Sequence, residues 1–220
     1  MRVGFRPLSR LIRAIGSEAC CLEGRRLPTT NLLALTFPNG SKSNLRVNPL
    51  QQNRSTRPIL FVDVDGVISL FGFDRAAPPP GRFHTVDGIP HWIGERAGAH
   101  LSRLAHRFEL VWASGWEDRA NEHLPFFLGL AGELPTLSFD DNKVFGEAHW
   151  KIAAVDRYAS GRPAAWIDDS LDERCQEWAR SRSEPTLLVE TNPAVGITRE
   201  HVETLLAWAE RVDGGGEPAA

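Results

Sequence analysis

The sequence predicts an α/β fold, with a parallel sheet of about five strands and helices on both of its faces. From residue 58 onward, short apolar runs alternate with stretches of helical periodicity, as expected of strands joined by crossover helices. The runs at residues 59–62 and 164–167 are apolar throughout, which is typical of strands buried on both faces. Both runs end in acidic residues, and such sheets bind ligands at the carboxyl ends of their strands.

The region before residue 58 differs from the rest in charge. Residues 1–57 carry 10 Lys and Arg and 2 Glu, a net charge of +8, whereas residues 58–220 carry 15 basic and 26 acidic residues, a net charge of −11. Clusters of Pro, Asn, Gly and Ser predict turns and coil in the basic segment. We therefore expect a mostly disordered extension (1–57), a folded domain (58–211) and a flexible tail (212–220).

The basic extension has three interpretations. It is an unstructured or misassigned leader, which we favour, a transit peptide, or an arm that makes weak contacts with RNA. Arg10 and Arg13 interrupt any apolar run of the length found in secretory signals, and no stretch approaches the roughly 20 apolar residues of a membrane span. The three cysteines form no disulfide framework, which favours a reducing, cytoplasmic location without membrane contact.

The first strand carries the strongest chemical signal. Asp63 and Asp65 follow it one residue apart, and Gly66 allows a sharp turn after them. Because side chains alternate along a strand, we expect both carboxylates to begin on the same face and to converge on one ligand. Two acids so close together repel unless a cation intervenes, and Mg²⁺ is the simplest candidate.

The next segments follow in order. Residues 69–90 are rich in Gly and Pro and predict a loop or short flap, and residues 92–108 predict a helix. Residues 109–113 predict the second strand. We expect Ser114 and Gly115 to cap a helix that starts near Trp116, runs to residue 130 and is broken or kinked at Pro125, so that its N-terminus can hold a phosphate. Residues 134–139 predict a third strand.

The second half of the domain repeats the alternation. His149, Trp150 and Lys151 begin a helix, and Asp168 and Asp169 end the strand at residues 164–167. The S-x-x-E pattern from Ser170 predicts a capping box for a helix at residues 171–182, where Cys175 packs against the sheet. Residues 186–190 predict the last strand, and Thr198 caps the final helix, which has one apolar face.

Four of these segments together resemble the motifs of the haloacid dehalogenase (HAD) superfamily, which implies a Rossmann-like fold. The matching segments are Asp63-Val64-Asp65-Gly66-Val67, Leu110-Val111-Trp112-Ala113-Ser114-Gly115, Lys151 and Ala165-Trp166-Ile167-Asp168-Asp169.

The resemblance implies an Mg²⁺-dependent phosphatase in which Asp63 is the nucleophile and Asp65 the general acid and base. Ser114, Gly115 and Lys151 would then bind the phosphoryl group. The metal ligands implied are Asp63, the backbone carbonyl of Asp65, Asp168 and Asp169. Asp172 also fits the family spacing as the second acid of the fourth motif, although we prefer Asp169.

The substrate is less constrained. Both points where such proteins insert a cap are short here, so we expect no large cap and an open site that suits a nucleic-acid end or another large phosphorylated substrate. The motifs flanked by tryptophan are similar to HAD domains of bacterial RNA-repair proteins. Trp116 and Trp150 could stack on a base, whereas Trp112 and Trp166 are predicted core residues.

Two alternatives stay open. The first is a phosphatase of small molecules such as nucleotides or sugar phosphates, because the net charge of −11 counts against tight nucleic-acid binding. The second is a non-catalytic HAD-like module that binds metal.

Overall fold

The computed structural model describes residues 57–139 and 147–214. The described strands are β1 (Ile59–Val62), β2 (Ser69–Leu70), β3 (Gly81–Val86), β4 (Ile89–Gly94), β5 (Glu109–Trp112), β6 (Ala164–Asp168) and β7 (Thr186–Glu190). The described α-helices are α1 (Ala97–Leu104), α2 (Arg119–Leu128), α3 (Ile152–Ala159), α4 (Glu173–Ser181) and α5 (Arg199–Asp213). The predictions for residues 1–56 and for the end of the tail lie outside these ranges.

A parallel four-stranded sheet in the order β5-β1-β6-β7 forms the centre of the domain. Its central strand β1 is fully buried, as its continuous apolar run predicted. Alternate residues of β1 point to opposite faces, so that Leu60 and Val62 enter one core cluster and Ile59 and Phe61 enter the other. The predicted α/β fold with a parallel sheet is confirmed.

Helices cover both faces of this sheet, also as predicted. Helices α1, α2 and α5 supply side chains to the cluster that contains Leu60, and α3 and α4 supply side chains to the cluster that contains Phe61. Cys175 lies in the second cluster and is fully buried. Thr198 caps α5 by accepting a hydrogen bond from the backbone of His201, as the sequence indicated.

The predicted third strand at residues 134–139 is wrong. This segment makes a single bridge to the sheet, between Trp112 and Thr136. The Trp112 N–H donates to the Pro135 carbonyl, and the Leu137 N–H donates to the Trp112 carbonyl. Pro135 has no N–H to contribute to a ladder, and the Asn121 side chain takes up the Leu134 backbone groups. Among the residues that the structure describes, the parallel sheet therefore has four strands, where about five were expected.

The segment predicted as a loop or short flap forms a small antiparallel sheet in the order β2-β4-β3, which we call the flap. Asp87 and Gly88 make its two-residue turn with positive φ angles, 50° and 78°. An Asp-Gly pair is a recognised hairpin signal that the Gly and Pro content of this region obscured. The flap also corrects the predicted helix at residues 92–108, because Trp92 lies in β4 and the helix is only Ala97–Leu104.

Two predicted helix starts also differ from the structure. Helix α2 begins at Arg119 after a turn, so Ser114 is not its N-cap, and the helix continues through Pro125 to Leu128. Helix α4 begins at Glu173, and its N-cap is Asp172, whose carboxylate accepts from the Cys175 N–H. The predicted capping box from Ser170 is therefore wrong, because the helix begins only at Glu173 and the Ser170 hydroxyl donates to Asp169 Oδ1 instead.

None of the helices in the described part of the chain has the length and apolar character needed to cross a membrane.

Candidate active site

The register of the parallel sheet brings the motif ends together. Val62 pairs with Trp112 of β5 and with Ile167 of β6, so the residues that follow, Asp63 and Asp168, lie side by side. Asp63 continues the face of β1 that points towards α3 and α4, and Asp168 continues the same face of β6. Both carboxyl groups therefore leave the sheet on the side from which α3 approaches.

Lys151 reaches these two acids from the start of α3. It ends a short 3₁₀-helix, Ala148–Lys151, and its side chain is buried, with only 4% of the residue exposed. Its Nζ lies 2.8 Å from Asp63 Oδ2 and 2.7 Å from Asp168 Oδ2. Burial opposes the charged form of Lys151, but the two carboxylates outweigh burial and raise its pKa above the ordinary value. The ammonium therefore stays charged between the two acids.

Three carboxylates form an acidic cluster around this ammonium. Oxygen atoms of Asp63, Asp168 and Asp169 lie within 4.8 Å of one another. Burial is the main cause that raises the pKa of Asp63, and burial together with the neighbouring charges raises the pKa of Asp168 and of Asp169 to about 6. Three carboxylates with one ammonium leave two negative charges without a counter-ion. This donor set fits a hard divalent cation with oxygen ligands.

The position of Asp169 separates the two candidates for the second acid of the fourth motif. Asp169 belongs to the acidic cluster, whereas the carboxylate of Asp172 caps α4 and faces His149. The geometry thus favours Asp169, as preferred from the sequence.

Gly66 makes room for Asp169. A Cβ atom at Gly66 would lie 2.3 Å from Asp169 Cγ, and Gly66 has a φ angle of +75°. The Thr191 hydroxyl, on the loop after β7, donates to the Gly66 carbonyl and fixes this turn. The glycine that follows the two acids is therefore needed for both its backbone angle and its lack of a side chain.

We expect Gly66→Ala to lower the free energy of unfolding by about 1–3 kcal/mol and to weaken divalent-cation binding, because the new methyl group must displace Asp169. Urea denaturation and calorimetric titration with Mg²⁺ measure the two effects. Gly72→Ala is the matched control, because Gly72 has a φ angle of +76° and no atom lies within 4 Å of the place that its new methyl group would take. Equal loss of cation binding in both variants would contradict the role given to Gly66.

Ser114 lies one residue beyond the level of Asp63, on the neighbouring strand end. The Ala113 N–H donates to the Val62 carbonyl, which places Ser114 just after the last ladder bond of β5. Ser114 is buried, and Gly115 is exposed at the start of the turn that leads to α2. The phosphate-binding roles of Ser114 and Gly115 stay predictions, and a turn, not a helix N-terminus, presents their backbone.

Asp65 does not join the acidic cluster through its side chain. After Asp63 the chain turns tightly, and the Val64 carbonyl accepts from the N–H groups of Ile68 and Ser69. Asp65 Oδ2 instead accepts from the indole N–H of Trp116 at 3.1 Å. The turn therefore ends the strand alternation between Asp63 and Asp65, and convergence of the two carboxylates on one ligand stays a prediction. A metal contact of Asp65 through its backbone carbonyl stays a prediction.

The Asp65 side chain is partly exposed to solvent, but neighbouring protein atoms displace some of the water around its carboxyl group. Its side chain is 53% exposed. Desolvation by the surrounding protein atoms raises its pKa, and the hydrogen bond from Trp116 lowers it in part.

Trp166 and Ser170 donate further hydrogen bonds to the acidic cluster, and the sequence analysis did not assign them this role. Trp166 is a fully buried core residue, as predicted, and its indole N–H also donates to Asp168 Oδ2. The Ser170 N–H donates to Asp168 Oδ1, and the Ser170 hydroxyl donates to Asp169 Oδ1. Of these, only the position of Ser170 next to the acids was a usable signal, since a short polar residue after paired acids often bonds to them.

A second group, Glu147, His149 and Asp172, also has three candidate metal ligands within 4.8 Å of one another. Arg174 Nη1 lies 3.1 Å from His149 Nε2. A guanidinium can only donate, so Nε2 accepts and the ring proton is on Nδ1, which faces Asp172 at 2.6 Å. This arrangement is a hydrogen-bonded link between the Lys151 helix and the start of α4, and it leaves no free imidazole nitrogen for a metal.

A comparison with protein families decides the assignment of the chain. Residues 59–202 match the family described as the HAD domain in Swiss Army Knife RNA repair proteins, a span that contains the acidic cluster, Ser114 and Lys151. The chain belongs to this HAD family. The predicted superfamily is thereby confirmed, and the four-stranded parallel sheet with helices on both faces is its Rossmann-like core. This HAD domain therefore has a hydrolase-type fold with an acidic cluster that could bind a metal ion.

Comparisons with solved structures find matches at low sequence identity. A hypothetical protein from Xanthomonas campestris is 17% identical, with 76% of this chain and 94% of that chain covered and a TM-score of 0.41. A putative HAD superfamily (subfamily III A) hydrolase from Legionella pneumophila is 15% identical, with 72% and 86% covered and a TM-score of 0.40. Among curated proteins, none is similar enough to count as a match.

Proposed function

We propose that this HAD domain is an Mg²⁺-dependent phosphatase that acts through an aspartyl-phosphate on Asp63. The observation that carries the proposal is the buried contact of Lys151 with Asp63 and Asp168, beside a third carboxylate from Asp169. A nucleophilic carboxylate, a fixed ammonium and two further acids at one strand edge are the parts needed for phosphoryl transfer.

Asp63, Asp168 and Asp169 would hold the ion, which when bound supplies positive charge next to the phosphoryl oxygens. Asp63 attacks phosphorus in line with the leaving oxygen. Lys151 compensates the negative charge that spreads over the phosphoryl oxygens in the transition state, and the Ser114 hydroxyl binds one of them. Because Lys151 is already held by two ion pairs, its ammonium needs little reorganisation during the reaction.

A nucleic-acid end is the substrate class that we propose. The family occurs in RNA repair proteins. After β1, at the first of the two points where HAD proteins insert a cap, the described residues form only the small flap. Trp116 and Trp150, both partly exposed, lie next to Ser114 and Lys151, where a base could stack. The net charge of −11 for residues 58–220 favours the alternative, a small-molecule phosphatase, unless the basic N-terminal segment supplies phosphate contacts.

A panel of phosphoesters tests the substrate class. It contains oligonucleotides with a 3′- or 5′-phosphate, nucleoside monophosphates and sugar phosphates, each assayed for released phosphate at low and moderate salt. We expect oligonucleotide ends to give kcat/KM about tenfold or more above that of the nucleoside monophosphates, and this preference to fall as salt rises.

The control for the leader is the full chain with the basic residues of segment 1–57 changed to Gln. If the unchanged protein prefers oligonucleotides and this variant does not, the RNA contact is assigned to segment 1–57. Equal kcat/KM values for oligonucleotides and nucleoside monophosphates in the unchanged protein would favour the small-molecule alternative.

A further inference from the structure

The Trp116 side chain fixes the Asp65 carboxyl group through a hydrogen bond. Its indole N–H donates to Asp65 Oδ2 at 3.1 Å, although the two residues are 51 positions apart. Trp116 lies on the turn between β5 and α2 and is partly buried against the core. A bond from an uncharged N–H donor to a carboxylate restricts its rotation without cancelling its charge.

Two flap residues lie behind this pair. The His91 ring contacts the Trp116 ring edge-to-face, with 4.7 Å between the ring centroids. His91 Nδ1 lies 3.0 Å from the Ser69 hydroxyl and 3.9 Å from Asp65 Oδ1. Ser69 belongs to β2 and is only 3% exposed, so its hydroxyl is fixed. The flap therefore holds the Trp116 ring in place, and the Trp116 ring holds the Asp65 carboxyl.

We infer that Trp116, supported by Ser69 and His91, is a positioning residue that keeps Asp65 available for proton transfer to the leaving group. This inference rests on the proposed phosphatase function. Without the indole bond, the Asp65 carboxylate is free to turn towards a divalent cation held by the nearby cluster, since hard cations attract every carboxylate within reach. A carboxylate that ligates the cation is a poor proton donor.

The two proton transfers of the reaction show why the position of the Asp65 carboxyl matters. In the first step an Asp63 oxygen forms a bond to phosphorus, the bond from phosphorus to the leaving oxygen breaks, and the protonated Asp65 gives its proton to that oxygen. In the second step water attacks the aspartyl-phosphate and loses a proton to the Asp65 carboxylate, which releases phosphate and restores both acids. The first step needs the proton only when the leaving group is a strong base.

The test compares two leaving groups in the full chain. p-Nitrophenolate leaves as a stabilised anion and needs little proton transfer, whereas the alkoxide of glycerol 3-phosphate needs a proton. The measured quantity is kcat/KM for glycerol 3-phosphate divided by kcat/KM for p-nitrophenyl phosphate, which reports the first step. We expect Trp116→Phe to lower this ratio about tenfold, and Asp65→Asn to lower it further.

A matched control removes an indole N–H elsewhere. Trp92 lies in the flap, and its N–H donates to the Pro79 carbonyl at 3.2 Å. Trp92→Phe should leave the ratio unchanged. Ser69→Ala should lower the ratio in the same direction as Trp116→Phe and serves as the second variant if Trp116→Phe does not fold.

The outcomes separate the inference from the proposed function. A wild-type protein that hydrolyses neither ester overturns the phosphatase proposal and the inference with it. An active wild type in which Trp116→Phe and Ser69→Ala slow both esters equally, or leave the ratio unchanged, overturns the positioning role alone. A fall in the ratio for both variants, but not for Trp92→Phe, supports it.

Discussion

Replacing Asp63 with Asn should lower phosphomonoester hydrolysis by about three orders of magnitude or more, because the amide cannot act as the nucleophile. The fold should survive. Asp63 accepts one hydrogen bond from Val64 N–H and one from Lys151, and the single oxygen of Asn can accept only one of them. This loss costs about 1–3 kcal/mol, which is less than the stability of a typical domain.

The same variant tests the covalent intermediate. Acid quenching of the wild type with substrate, followed by mass spectrometry, should find a phosphoryl group on the peptide that contains Asp63, and Asp63→Asn should lack it. Asp74→Asn is the control, because Asp74 is exposed and its Oδ1 accepts only from backbone Ala76, a bond that Asn can keep. Biological activity retained in Asp63→Ala would instead support the non-catalytic metal-binding module.

Replacing Lys151 with Met should remove activity and destabilise the metal-free domain by about 3–5 kcal/mol. The methionine fills a similar volume but leaves Asp63, Asp168 and Asp169 without the ammonium that lies 2.7–2.8 Å from two of them. Urea denaturation in the presence of a chelator measures this loss. Millimolar Mg²⁺ should restore part of the stability, because cation binding to the folded state offsets the repulsion among the carboxylates.

Lys143 is the other lysine of residues 58–220, and it lies outside the described residues. Lys143→Met is therefore the control, with stability and activity expected to match the wild type. If Lys143→Met loses activity and Lys151→Met does not, the assignment of the phosphate-neutralising lysine is wrong.

The predictions that succeeded concern features set by neighbouring residues. An apolar run such as residues 59–62 favours a buried strand, and the acids that follow then lie at the strand end. Lys151 was placed at a helix start from its order among the HAD-like motifs, and the structure has a 3₁₀-helix followed by α3 at this point. The preference for Asp169 over Asp172 also agrees with the geometry.

The predictions that failed depend on contacts between distant segments. A loop or short flap was predicted, but its strands were not, because they stabilise one another across the Asp87-Gly88 turn and Pro90 lowers the strand propensity of β4. Ser170 matched a capping box, but the position of the chain after β6 made Asp172 the cap. The Asp65 side chain was expected to start on the same strand face as that of Asp63, but the turn at Gly66 lets its carboxyl accept from the Trp116 indole.

The sequence by itself determined which residues end the buried strands, because a strand core and its polar end are read from adjacent positions. The tertiary structure alone decided which carboxyl groups form the acidic cluster and which contact other side chains. Asp63 and Asp168 meet because their strands are in register, and Lys151 joins them because its helix lies on the same face of the sheet. The Asp65 carboxyl instead accepts from an indole 51 residues away, a contact that no local pattern contains.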